Sequence, residues 1–133
     1  MQSNAAYFVD VGSIGWTLLV TVNCAKVHVV GDKLGWNVPF EPGFFDEWAK
    51  KNTFVVDDEL LFQYHQQLDT VEVVEKDDYE NCTNTKVIRS LVLGNSTVPL
   101  EKPGDYYFFS SVGKHCEAGQ KLHITTDGSK SNR

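Results

Sequence analysis

The hydrophobic residues of this chain fall into short runs separated by turn residues. The runs cover residues 26–30, 53–56, 60–64, 71–75, 86–93, 105–112 and 120–126. In two of them apolar and polar side chains alternate, which places Leu60, Phe62 and Tyr64 on one face, and Leu122 and Ile124 on another. The pattern predicts an all-β domain of about seven to eight strands, arranged as a Greek-key β-sandwich or barrel.

One segment, residues 44–51, departs from this pattern and predicts a short helix. Phe45 and Trp48 are spaced three residues apart, so they share a helix face. Lys50 and Lys51 stand at its end, where the helix dipole favours cations.

Composition and charge narrow the choice of function. The 133 residues are 41% hydrophobic and 23% charged, which is typical of one globular domain. Twelve basic residues against 18 acidic ones give a net charge of −6. This balance argues against a nucleic-acid partner and against a polybasic membrane surface.

The first 24 residues differ from the rest of the chain. Met1–Cys24 has Asp10 as its single charge, and an apolar run of nine residues, 14–22, precedes small residues before Ala25. That run is too short to span a bilayer, and it predicts a secretory signal peptide over 1–24. The lack of a basic n-region favours the alternative, a core strand or helix. The domain then covers 25–126, and 127–133 form a polar tail.

Cysteines and glycosylation motifs agree with secretion. Removing the leader removes Cys24 and leaves Cys82 and Cys116, an even pair that an oxidising compartment would join. Their bridge would close a loop worth about 3–4 kcal/mol, and two free buried thiols are the alternative. Asn81 and Asn95 begin Asn-x-Thr acceptors for N-glycosylation, and Asn95, in a turn-like stretch, is the better of the two.

Motifs along residues 26–126 carry a family resemblance. They include Gly35-Trp36, Tyr79-x-x-Cys82 and Gly113-x-His115-Cys116-x-x-Gly119-Gln120-Lys121-Leu122. In this order they resemble the plant phytocyanins. The resemblance implies a cupredoxin sandwich, a Cys82–Cys116 disulfide and a secretory leader. Most members are blue-copper electron carriers, whose copper is held by two His, a Cys thiolate and an axial Met or Gln.

At the ligand positions the chain departs from that family. Matching by spacing puts Asp69 at the first His and Ser110 at the Cys, while His115 and Gln120 are kept. A blue-copper centre requires the thiolate, so the resemblance predicts a lost type-1 site and no cofactor.

Other metal arrangements stay open as alternatives. A weak, non-blue Cu(II) or Zn(II) site could use His115, Gln120 and Asp69, since imidazole and carboxylate bind such ions. A local slip could bring in His65, four residues before Asp69. His28 and His123 are predicted to be solvated imidazoles on strand surfaces.

The departure resembles the early nodulin-like branch of the family, whose members keep the fold and disulfide but lose copper ligands. It predicts a secreted glycoprotein that acts as a non-enzymatic binding or structural module at the plant cell surface or wall. Its ligand is unidentified, a cell-wall glycan or a protein. Many members carry a Pro-rich linker and a signal for a GPI anchor, and the printed sequence shows neither. The alternative function is a blue-copper-type electron carrier with an altered ligand set.

Enzyme signatures are missing from the sequence. There is no Gly-rich phosphate loop and no Gly-x-Ser-x-Gly motif. The acidic pairs at 57–58 and 77–78 are interpreted as solvated turns. No catalytic residues are therefore predicted.

Overall fold

The computed structural model describes residues 4–11, 16–23 and 25–128. Strands β1 (Asn4–Val11) and β2 (Trp16–Asn23) pair antiparallel as a two-stranded sheet of their own. They fall in the segment predicted as a leader, whose cleavage position at Cys24 lies outside the described residues. Most of the predicted tail, residues 129–133, also lies outside them. Leader and tail therefore stay predictions.

The remaining strands build a sandwich of two sheets, which confirms the predicted all-β class. Their bounds are β3 Val27–Val29, β4 Phe54–Val55, β5 Glu59–Phe62, β6 Val71–Val74, β7 Arg89–Leu91, β8 Ser96–Pro99, β9 Gly104–Phe109 and β10 Lys121–Asp127. One sheet has the order β4-β10-β9-β6-β7, and the other has the order β3-β5-β8.

The core lies between these sheets and follows the alternation of the sequence. Leu60, Phe62, Leu122 and Ile124 are buried as predicted, and so is Tyr64 just beyond β5. Phe62 of one sheet meets Phe108 of the other, with ring centroids 5.1 Å apart. The hydrophobic pattern therefore decides which face of each strand meets the opposite sheet.

The predicted helix is present as α1, Phe44–Lys50. Its buried residues are Phe45 and Trp48, the pair whose spacing predicted it. Phe45 packs against Trp36 at 5.0 Å, so the helix contributes directly to the main core.

A second helix, α2 (Lys76–Asn81), and strand β8 are not predicted by the sequence pattern. Helix α2 follows β6 and lies over the outer face of the five-stranded sheet. Cys82, directly after it, is bonded to Cys116, which confirms the expected disulfide. The bridge closes a small outer cluster with Val74 and Phe109. The β6 residues are buried on both faces because of this cover.

Three polar residues interpreted as solvated are buried instead. His28 is 2% exposed, and its Nε2 lies 2.9 Å from Asp58 Oδ2. Asp58 also accepts hydrogen bonds from the backbone N–H groups of Lys26 and Val55. Asp78 lies within α2 and is buried, and it accepts the backbone N–H of Lys86 in the loop after the helix. Their burial is tolerated because strand and helix ends supply donors, which the hydrophobic pattern does not reveal. His123 is partly exposed and bonded to Asp105, in better agreement with its prediction.

No helix among residues 4–11, 16–23 and 25–128 is long and apolar enough to cross a membrane.

Candidate functional site

The four predicted site residues come from three segments at one end of the sandwich. Asp69 precedes β6, Ser110 follows β9, and His115 and Gln120 belong to the loop that leads into β10. The backbone N–H of Ser110 donates to Gln120 O at 3.2 Å, which continues the ladder beyond the Phe109–Lys121 pair. Ser110 and Gln120 are thus cross-strand neighbours on the face that carries Phe108 and Leu122.

Hydrogen bonds bring three of the four side chains together. Ser110 Oγ donates to Asp69 Oδ1 at 3.1 Å, and His115 Nδ1 lies 2.8 Å from the same oxygen. Asp69 is 3% exposed and Ser110 is fully buried, whereas 32% of the His115 side chain is exposed. The cluster is therefore a buried carboxylate, Asp69, that is bonded to a partly solvent-exposed imidazole, His115.

Ser110 has its hydrogen-bonding capacity filled. Besides donating to Asp69, its Oγ accepts the backbone N–H of Thr70 at 3.3 Å and that of Val112 at 3.5 Å. A hydroxyl offers one donor and two acceptor lone pairs, so all three are used. The serine is held in this place by the loops on both sides.

The Asp69 carboxylate also determines which tautomer a neutral His115 ring adopts. An ionised carboxylate only accepts hydrogen bonds, so the proton of a neutral His115 ring stays on Nδ1. The ring is then oriented by Asp69, and Nε2 keeps the free lone pair.

Gln120 is the fourth residue, and its amide is the exception. The side chain is fully buried, yet neither Oε1 nor Nε2 has a hydrogen-bond partner among the described residues. A buried amide without partners is costly, so this is the place in the site where an additional polar group would be stabilised.

The donor set does not fit a blue-copper centre. The thiols of Cys82 and Cys116 are joined to each other, and Ser110 offers only a hydroxyl. Carboxylate, imidazole and amide oxygen fit a harder ion with oxygen and nitrogen ligands. Among the described residues, no group of three or more His, Cys, Asp or Glu is placed to hold a metal.

Two other predicted possibilities are not realised in this geometry. His65 is exposed, and its Nδ1 accepts the backbone N–H of Gln67 in a turn. Ser110 and His115 both bond to Asp69 and, within the described part of the chain, not to each other. A nucleophile and base must be hydrogen-bonded to each other, so this is not a hydrolytic triad.

Sequence reasoning missed the residues that surround the cluster. Thr70 donates to Ser110, and its Oγ1 accepts the backbone N–H of Ser111 at 2.9 Å. Ser111 Oγ donates to Glu72 Oε2 at 3.0 Å, and Trp36 Nε1 donates to Thr70 O at 2.8 Å. Each of these bonds spans more than 30 positions along the chain, so no local pattern marks them.

Comparison with known proteins places the chain among copper proteins and their relatives. A family model described as a plastocyanin-like domain matches residues 36–120. Stellacyanin of Toxicodendron vernicifluum is 37% identical over 100 residues, which cover 74% of this chain and 94% of that protein. Early nodulin-like protein 15 of Arabidopsis thaliana is 38% identical over 105 residues, 78% of this chain. The chain matches only 59% of the length of this last protein.

Solved structures agree with the sequence matches. The fold superposes on cucumber stellacyanin, solved with Cu2+, with a TM-score of 0.73 and 34% identity, covering 79% of this chain and 97% of that one. A second match, cucumber basic protein, is described as a blue copper protein and gives a TM-score of 0.67 at 29% identity. The expectation of no cofactor is wrong in view of these matches, since the matched proteins point to copper.

The resemblance drawn from the motifs of the sequence is confirmed by the family model, the relatives and the solved structures. The family model spans the segment from Trp36 to Gln120, which includes the whole candidate site. The relatives carry both the copper-protein and the early nodulin-like names. This chain belongs to the phytocyanin family.

Proposed function

We propose that this domain is an extracellular, non-enzymatic phytocyanin module of the plant cell surface or wall, without a type-1 copper centre. In its place stands the hydrogen-bonded cluster of Asp69, Ser110 and His115. One observation carries the proposal: Ser110 Oγ donates to Asp69 Oδ1 at the position that the family pattern assigns to the thiolate. The domain would then bind a wall component or a cell-surface protein instead of carrying electrons.

The chemistry of oxygen and sulfur supports this proposal. A type-1 centre depends on a thiolate, together with two imidazoles and a weak axial donor. A serine hydroxyl keeps its proton at neutral pH, and here that proton is donated to a buried carboxylate. The proposal concerns the type of centre, because the relatives point to copper as the metal of the family.

A second candidate is a copper protein with an altered ligand set, and Gln120 favours it. Its buried amide has no partner in the described part of the chain, and Asp69 and His115 belong to the same end of the sandwich. Oxygen and nitrogen ligands from these residues suit Cu(II), which binds N and O donors more tightly than other divalent first-row ions do. Such a complex would lack the intense colour that a thiolate supplies.

An extracellular location is supported by several features. The Cys82–Cys116 bridge is the kind that persists in oxidising compartments. Residues 1–24 are proposed to be the leader that delivers the chain there. The unidentified ligand is proposed to be a wall glycan or a protein.

Titration of the purified, oxidised protein with Cu(II) tests the type of centre. We expect no intense blue absorption from the natural chain at stoichiometric copper. The double change Asp69→His and Ser110→Cys should restore it, because it completes the family's ligand set on an existing scaffold. The single change Asp69→His is the matched control and should stay colourless.

Three outcomes separate the candidates. A natural chain that turns blue with one equivalent of copper would overturn the proposal. A double variant that folds but stays colourless would show that the positional match is wrong. Tight, colourless Cu(II) binding that disappears in His115→Ala would favour the second candidate.

A further inference from the structure

The two N-glycosylation acceptors lie in different surroundings. At the end of α2, Asn81 Nδ2 donates to Asp77 O at 2.9 Å, and the next residue is the disulfide-bonded Cys82. At Asn95, by contrast, it is Oδ1 that is engaged, since it accepts the backbone N–H of Tyr64 at 3.2 Å. No hydrogen bond from Asn95 Nδ2 is found within the described residues. The amide nitrogen that a glycan uses thus donates a hydrogen bond within the fold at Asn81, and among the described residues it donates none at Asn95.

An apolar surface lies beside Asn95. Leu93 is 84% exposed and Val92 is 48% exposed. With Ser90, Leu91 and Ser96 they line a groove of about 260 Å3. The groove borders β7, which is the edge strand of the five-stranded sheet. Exposed apolar residues beside an unpaired edge favour aggregation unless something covers them.

We propose that Asn95, and not Asn81, carries an N-linked glycan whose first sugars lie over the groove lined by Ser90–Leu93 and Ser96. This inference rests on the proposed extracellular function, because the modification belongs to the secretory pathway. The donor is an oligosaccharide on a lipid diphosphate. Asn95 Nδ2 forms the bond to C1 of the first sugar, the C1–O bond to the diphosphate breaks, and the diphosphate leaves with the electron pair. The amide loses one proton, and nothing is oxidised or reduced.

The glycan is the occupant that the chain itself positions. Leu93 and Ser96 flank Asn95 within two residues, so the first sugar cannot be far from the groove. A pyranose ring presents aliphatic C–H groups on its faces and hydroxyls at its edge. It can therefore cover Leu93 and Val92, while Ser90 offers a hydroxyl at the rim. The Ser96 hydroxyl already donates to Gly94 O.

At Asn81 the same modification would oppose the fold. A glycan would replace one of the two hydrogens of Nδ2 and leave a single N–H to donate to Asp77 O. It would also place a bulky chain beside the bridge that closes the outer cluster. The fold therefore favours Asn95.

The test uses the full chain behind an added, cleavable secretory leader of established function, expressed in plant cells. Entry into the pathway then does not depend on residues 1–24. Thr97→Ala removes the Asn95 acceptor and leaves the Asn95–Tyr64 bond intact, and Asn81→Gln is the matched control. We expect one glycan on the natural chain and on Asn81→Gln, and none on Thr97→Ala. A secreted natural chain without a glycan, or with one at Asn81 alone, would overturn the assignment.

Cover of the groove is measured with the apolar dye anilinonaphthalene sulfonate. We expect Thr97→Ala to bind the dye severalfold more strongly than the glycosylated chain, and Leu93→Ser added to Thr97→Ala to reverse this. Equal dye binding with and without the glycan would overturn the proposal that the glycan covers the groove. A glycosylated chain that dimerises through the β7 edge would overturn it as well. Failure of the extracellular proposal is seen separately, as a chain without the added leader that stays inside the cell with free thiols.

Discussion

At the scale of single residues, the oxygen of Ser110 decides what the site can hold. Its hydroxyl donates to Asp69, whereas a blue-copper centre requires a thiolate, which a hydroxyl cannot supply. It also satisfies the backbone N–H groups of Thr70 and Val112. Ser110 therefore also connects the loops around the site.

This role predicts the effect of Ser110→Ala. The change leaves Asp69 without one donor and two partly buried backbone N–H groups without their acceptor. We expect the free energy of unfolding to fall by about 1–3 kcal/mol, measured by urea denaturation. Ser90→Ala, on the exposed edge strand, should change it by less than about 0.5 kcal/mol. Equal effects of the two changes would show that the cluster is not stabilising.

At the scale of elements, the loop after α2 depends on one buried carboxylate. Asp78 Oδ1 accepts the hydroxyls of Thr83 and Thr85, and Oδ2 accepts the backbone N–H of Lys86. These hydrogen bonds, that of Thr83 first, lower the pKa of Asp78 to about 2. Helix α2 and the loop that follows it are joined through this side chain.

The lowered pKa predicts how the loop responds to acid. Asp78 stabilises the fold above the pKa of the unfolded chain, near 3.8, and this contribution is lost as the pH falls through about 2. We expect Asp78→Asn to be less stable than the natural chain at pH 7, with the difference shrinking between about pH 4 and pH 2.

Urea denaturation at several pH values measures this difference. The exposed neighbour Asp77 gives the matched control, and Asp77→Asn should show little difference at any pH. A difference between Asp78→Asn and the natural chain that stays constant down to pH 2 would contradict the assignment.

At the scale of the whole molecule, aromatic contacts hold the two sheets together. Phe62 of the three-stranded sheet packs at 4.9 Å from Trp36 and at 5.1 Å from Phe108 of the five-stranded sheet. Trp36 in turn donates to Thr70 O beside Asp69, so the core and the candidate site share a support. Loss of packing around Phe62 should therefore also disturb the candidate site, through Trp36 and Thr70.

Phe62→Ala should lower the free energy of unfolding by about 3–5 kcal/mol, because it opens a cavity between the sheets. Phe40 is fully exposed, so Phe40→Ala removes the same atoms from solvent and should change stability by less than about 0.5 kcal/mol. Thermal or urea denaturation compares the two. Similar losses in both variants would refute the packing argument.

The hydrophobic pattern predicts those elements whose burial is periodic. In β5 and β10 it predicts the buried face correctly, and in α1 it predicts the pair Phe45 and Trp48. It fails for β8, in which only Val98 is buried, and for α2, whose buried residue is the charged Asp78. The prediction of a solvated His28 is also wrong, since its partner Asp58 lies 30 residues away. Burial of a polar side chain that depends on its hydrogen bonds leaves no hydrophobic period in the sequence, whether the partners are near, as for Asp78, or distant, as for His28.

The sequence alone determined the fold class, the family and the atoms available at the site. The order of residue types settles which faces are apolar, and Ser110 carries no sulfur in any conformation. Only the tertiary structure decided that Asp69 lies buried between Ser110 and His115, 41 and 46 positions away, and that the Gln120 amide is left without a partner in the described part of the chain. The pairing of β9 with β6 and β10 brings these segments to one end of the sandwich. Their contacts are set by how strands pair across long separations, and local sequence does not encode that pairing.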